Sequence, residues 1–227
     1  MIKRLLITLL TTVLLFSCKQ EHKNEFTPKS LANTTLTSTA SNENKKIQLD
    51  SIAAWIDTTY LYTITKGKQI IVQNSLPKGG LTYTFSNGQK FVYGIFWSRI
   101  INTTETPFEL SVKMPKTSIP QGTSFDNSLN VLLPNATMRI DKVPLFNYGL
   151  TDLAAALENT LQKPTLLKLT IPPKETNIFY VITLFKKGLN DKVRAGFFFK
   201  DNKAWYRVND TEIPCGLVYP ENLVSRH

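Results

Sequence analysis

From residue 59 onward, short β-branched and aromatic runs alternate with turn residues about every ten positions, a rhythm that restricts the chain to a strand-built fold. Residues 60–64 (Tyr-Leu-Tyr-Thr-Ile) and 69–73 (Gln-Ile-Ile-Val-Gln) flank Lys66-Gly67-Lys68, the pattern of a hairpin with glycine in the turn. Pro77-Lys78-Gly79-Gly80 predicts a break, residues 81–85 a resumed strand, and Ser86-Asn87-Gly88 another turn. Residues 90–101 are the longest strand candidate. Phe91, Tyr93, Ile95 and Trp97 share one face, while Val92, Phe96 and Ile100 share the other. A strand apolar on both faces belongs in the middle of a sheet that is covered on both sides.

The same reading places strands at 108–114, 129–133, 138–143, 166–171, 178–185, 193–199 and 204–208, with the longest loop at 115–128. Asp201-Asn202-Lys203 suits a tight hairpin. One helix is clear, over 151–161. Thr151 suits the N-cap, Asp152 the positive end, and Leu153, Leu157 and Leu161 share a face before Pro164 closes it. A second, short helix after Asp50, over 51–57, is a weaker signal. No internal repeat of constant period occurs. About nine or ten strands and one short helix predict a mainly β, single antiparallel β-sandwich, immunoglobulin-like or jelly-roll-like; a closed β-barrel is the alternative.

The N-terminus has a different character. Lys3 and Arg4 precede a largely apolar stretch over 5–16, and Ser17-Cys18 follows. The stretch is too short to span a bilayer as a mature helix and has the layout of a secretory signal. Leu15, Ser17 and Cys18 resemble the lipobox of bacterial lipoproteins. That resemblance implies removal of residues 1–17, lipidation of Cys18, and attachment to the outer membrane of the cell envelope, on the periplasmic or the surface side. Residues 18–46 are rich in Lys, Asn, Ser, Thr and Glu and predict a solvated tether, with a typical reach on the order of 30 Å. Residues 47–227 then form the sandwich domain. Asp50-Ser51-Ile52 and Asp57-Thr58-Thr59 resemble the O-glycosylation acceptors of Bacteroidota, which agrees with export.

Charge and rare residues narrow the function. The chain carries a formal +10, and from residue 47 onward 20 Lys plus Arg stand against 14 acidic residues. The basic residues are scattered through apparent turns, which suits solubility rather than a nucleic-acid surface, and no nucleic-acid partner is expected. The two histidines are His22, in the tether, and His227, the last residue. A domain without a placed imidazole lacks the usual general base for Ser or Cys nucleophiles and the usual zinc ligand, so no cofactor or metal is expected. Cys215, in Ile213-Pro214-Cys215-Gly216, is left without a disulfide partner and reads as a buried structural thiol.

Two kinds of candidate site remain. Trp55, Trp97 and Trp205 are flat rings of the type that stack on sugars, although a core role suits aromatic side chains in apolar strands. Glu109, Asp141 and Glu175 are candidates for a carboxylate pair of the type that hydrolyses glycosidic bonds. The leading expectation is a non-enzymatic, membrane-anchored binding or assembly module that meets the membrane through Cys18 and other envelope proteins or a glycan through its domain. The alternatives are a glycan-binding lipoprotein of a polysaccharide-uptake system and a two-carboxylate carbohydrate-active enzyme.

Overall fold

The computed structural model of the protein describes residues 52–65, 68–121, 124–163, 166–186, 192–219 and 224–226. Residues 1–51, with the signal, Cys18, the tether and His22, lie outside the described residues, as do Lys66-Gly67 and His227.

Thirteen strands are described, and all their pairings are antiparallel. The larger sheet contains β1 (Ile56–Thr65), β2 (Lys68–Ser75), β3 (Lys78–Thr84), β4 (Lys90–Asn102), β6 (Ile119–Gln121), β7 (Ser124–Leu132), β9 (Thr176–Phe185) and β13 (Val224–Arg226). Its order is β13-β1-β2-β4-β9-β7-β6, with β3 paired to β4 beyond the end of β2. The smaller sheet contains β5 (Phe108–Lys113), β8 (Leu166–Ile171), β10 (Ala195–Lys200), β11 (Lys203–Val208) and β12 (Thr211–Tyr219), in the order β10-β11-β12-β5-β8. The larger sheet is curled and packs its inner face on the smaller one, so the fold is a β-sandwich.

β4 explains the layering. Phe96 and Ile100 enter the core between the sheets with Phe108, Val181, Phe197 and Tyr206. Phe91, Tyr93, Ile95 and Trp97 enter a second core on the outer face, with Tyr148, Leu157, Tyr180 and Leu184. Residues 134–163 cover that face as a cap. They include the helix α1 (Leu153–Gln162) and short 3-10 turns at Ile140–Lys142 and Phe146–Gly149. Burial on both faces requires the strand apolar throughout, as the sequence reads.

Several local expectations are corrected. Asp152, not Thr151, caps α1, accepting from Ala155 N at 2.9 Å; its carboxylate also suits the positive helix end. Residues 138–143 contain the 3-10 turn Ile140–Lys142 rather than a strand, with Arg139 and Asp141 paired at 2.9 Å. The break at 77–80 is shorter than expected. β3 starts at Lys78 and absorbs Gly79 (φ 106°) and Gly80 (φ 79°) in a register shift. The expected loop at 115–128 contains the β6–β7 hairpin. Of the short helix expected over 51–57, Ala53–Trp55 form a 3-10 turn and Ile56 already begins β1.

The sandwich is joined at one corner by a side chain. Asn74 of β2 is wholly buried, and its amide pairs with the backbone of Phe197 on the edge strand β10. Nδ2 donates to Phe197 O at 2.9 Å, and Phe197 N donates to Oδ1 at 2.8 Å. Ser98 Oγ donates to the same Oδ1 at 2.7 Å, and Nδ2 also reaches Thr58 Oγ1 at 3.1 Å. Beside it, Tyr62 Oη accepts from Phe199 N at 2.7 Å. These two residues occupy polar groups that an edge strand otherwise leaves open. Gly196 allows the approach, because a Cβ there would lie 2.5 Å from Asn74 Cγ.

Candidate functional site

Next to that corner, a crevice of about 210 Å³ opens between the sheets. β1 contributes Asp57, Thr58 and Tyr60, and the smaller sheet and its turns contribute Arg194, Arg207 and Asn209, with Gly196 between them. Asn209, at φ 49°, holds the Arg194 backbone from both sides. Arg194 N donates to Asn209 Oδ1 and Asn209 N to Arg194 O, each at 2.8 Å. Arg194 Nη1 lies 2.8 Å from Asp57 Oδ1. The Arg207 guanidinium sits over the Phe198 ring, 4.7 Å from its centroid, and donates to Glu212 Oε1 at 2.6 Å. The Glu212 bond raises the pKa of Arg207, so it remains a cation throughout the physiological range. Tyr60 and Trp205 both pack against Phe198, at 6.1 and 6.4 Å between ring centroids. The crevice thus presents two guanidinium forks, one carboxylate and an aromatic margin.

A cleft of about 410 Å³ lies elsewhere, where Gly79, Gly80 and Gly94 leave the sheet bare between Val92, Phe185 and Val193. Its described lining is mostly apolar, with Lys78 and Lys192 the charged exceptions. A buried guanidinium, Arg99, stands on the outer face of the larger sheet. It donates through Nε to Gln73 Oε1 at 2.8 Å, and desolvation lowers its pKa to about 10.

The three tryptophans do not share one platform. Trp97 is wholly buried in the cap core. Trp55 is half-buried there, with the Lys78 ammonium 4.1 Å from its ring centroid and Tyr148 edge-on at 6.2 Å. Trp205 lies half-buried on the smaller sheet, stacked on Phe198 and so beside the crevice. The carboxylates are likewise dispersed: Glu109 is exposed on β5, Asp141 pairs with Arg139 in the cap, and Glu175 is exposed before β9. None of them lines a described cleft. Asp141 and Glu109 belong to opposite outer layers, with both sheets between them.

Cys215 is buried, and its Sγ donates to Ala204 O at 3.3 Å. Ala204 pairs with Gly216 and Trp205 with Pro214, so Cys215 is the extra residue of a bulge. Burial pushes its thiol pKa well up, which leaves it unreactive. Thr58, of the Asp57-Thr58-Thr59 motif, is half-buried in β1 with its hydroxyl accepting from Asn74. Among the described residues no three His, Cys, Asp or Glu side chains are grouped to hold a metal, and no helix is long and apolar enough to cross a membrane.

Arg194, Arg207 and Tyr60 carry no sequence signal as a site. Asp57 and Arg194 meet only because β1 and the start of β10 are brought together by the stacking of the sheets. No protein-family model, no curated protein and no solved structure matches the chain.

Proposed function

We propose that this chain is a cell-envelope lipoprotein, anchored to the outer membrane through Cys18, whose sandwich acts by binding rather than by catalysis. The crevice carries the reading. Its converging groups are donors, an acceptor and rings, the means of holding a ligand, and no general base stands beside an activated nucleophile within it. Planar guanidinium forks beside an aromatic margin suit a hydroxyl- or carboxylate-bearing sugar, which favours the glycan-binding form of this reading. The lipobox and the tether would hold the module at the membrane while leaving the crevice in solvent.

The test has two parts. Palmitate should label Cys18 in cells, and Cys18→Ala should release the protein from the membrane fraction. In a binding screen against soluble acidic and neutral glycans, Arg207→Gln should weaken the tightest interaction about tenfold, the scale for one charge-assisted contact. Glycan turnover by the purified chain, abolished by changing a single carboxylate, would replace the binding reading with an enzymatic one.

A further inference from the structure

The cap contains three successive residues in the left-handed region: Asn147 (φ 49°), Tyr148 (φ 55°) and Gly149 (φ 67°). Glycine takes this conformation freely, but a tyrosine rarely does. The surroundings force it. The Tyr148 ring is wholly buried, edge-on to Trp55 at 6.2 Å and to Trp97 at 6.4 Å. Its hydroxyl donates to Leu76 O at 2.6 Å, and its carbonyl accepts from Tyr180 Oη at 2.6 Å. Lys78 adds a latch: its ammonium lies near the Trp55 and Tyr148 rings, at 4.1 and 4.3 Å, and donates to Val143 O and Leu145 O at 2.7 Å each.

What this rigid loop displays is apolar. Leu145 is 53% exposed and Phe146 73%, the most exposed large apolar side chain among the described residues. They follow the exposed Pro144. An ordinary solvated tip carries polar residues, whereas a strained, over-determined tip that aims Leu and Phe outward marks a functional surface.

We propose that Leu145 and Phe146 form a second membrane contact, a wedge that enters the headgroup region of the bilayer and orients the tethered domain. The inference rests on Cys18 being the lipid anchor. A bilayer is the occupant because of where the chain enters the fold. Ile52 and Trp55 pack in the cap core with Tyr148, so the segment leading back to Cys18 joins the domain at the end that carries the wedge. A tether with a reach on the order of 30 Å keeps that end near the lipid. Tethering strengthens the contact further, because it makes insertion intramolecular. The excess of basic over acidic residues in the domain adds attraction to anionic headgroups.

Vesicle co-sedimentation tests the wedge. The chain from residue 18 onward, with Cys18→Ser so that no acyl chain contributes, is mixed with phosphatidylethanolamine–phosphatidylglycerol vesicles. The parent should sediment with them, and the double variant Leu145→Ser, Phe146→Ser should bind about tenfold less, the scale for losing two partly inserted apolar side chains. Phe146→Leu should retain most of the binding. Both side chains are exposed, so an unchanged unfolding midpoint for the double variant confirms that the fold is intact. A parent chain that ignores vesicles overturns the inference, and so does a double variant that binds as well as the parent. Palmitate labelling of Cys18 keeps the two readings apart: a labelled chain with an indifferent tip loses only the wedge, and an unlabelled chain loses the anchor.

Discussion

The two faces of the larger sheet bury apolar side chains by different means. Its inner face meets another sheet, whose backbone groups are already paired in ladders, so that core is almost entirely hydrocarbon and aromatic. Its outer face meets a cap of turns, whose carbonyls have no ladder to join. There side chains carry polar ends that reach irregular backbone: Tyr180 to the cap carbonyl of Tyr148, Lys78 to those of Val143 and Leu145, and Tyr148 of the cap to Leu76 between β2 and β3. Irregular backbone can be buried only if something satisfies it, and in this protein tyrosine and lysine do so. The inner face receives such help at its margins, where Asn74 and Tyr62 meet the edge strand β10 and Asn102 Nδ2 donates to Ile171 O at the end of β8.

The largest expected effect tests that corner. Asn74→Ala orphans the Phe197 N–H and C=O and removes a partner from Ser98, and should cost about 3–5 kcal/mol in urea unfolding. A loss below about 1 kcal/mol would mean that the Asn74 link adds little to the apolar packing that holds the sheets together. Lys78→Met tests the cap. It frees two carbonyls and removes two cation–π contacts, and should cost about 1–3 kcal/mol with partial compensation from water at the exposed Leu145 carbonyl. Tyr62→Phe leaves the Phe199 N–H without its acceptor and should cost about 1–2 kcal/mol.

Alkaline titration sharpens the comparison, because both faces carry buried phenols. Desolvation pushes Tyr62, Tyr148 and Tyr180 up to about 12 from an ordinary value of 10.0. The native state keeps protons that the unfolded chain releases, so stability present below pH 10 should fall as pH rises from 10 to 12. Thermal melts across that window, read beside tyrosinate absorbance, should show the slope lessened by Tyr148→Phe. An unchanged slope would assign the effect to the other phenols. The smallest effects lie outside both cores. Phe146→Ser should leave stability within about 0.5 kcal/mol. In a Cys18→Ala chain, Cys215 should resist alkylation at neutral pH until denaturant is added.

The central strand was legible because its information is local. Alternating side chains on β4 announce two buried faces, and a 3.6-residue pattern announces α1. β12 has no strand pattern in the sequence because Pro214 and Gly216 interrupt it, yet β11 and β5 pair with it on either side. The cap misled as well: residues 138–143 look like a strand by composition, but Pro134 and Pro144 bracket a segment that turns. Of the crevice, only Trp205 at its margin and the Asp57-Thr58-Thr59 motif drew notice in the sequence, the latter for a different reason. Nothing marked Arg194 or Arg207.

By itself the sequence determined a strand-built sandwich domain with one helix, behind an N-terminus that resembles a lipoprotein signal. Those are matters of periodicity and composition, which a short window of residues contains. Only the tertiary structure decided that Asn74 joins a strand 123 positions away, that Lys78 pins a left-handed loop, and that Asp57 and Arg194 share a crevice. Each is an unsatisfied backbone group or charge meeting a partner far along the chain, and such meetings exist only once the layers are stacked.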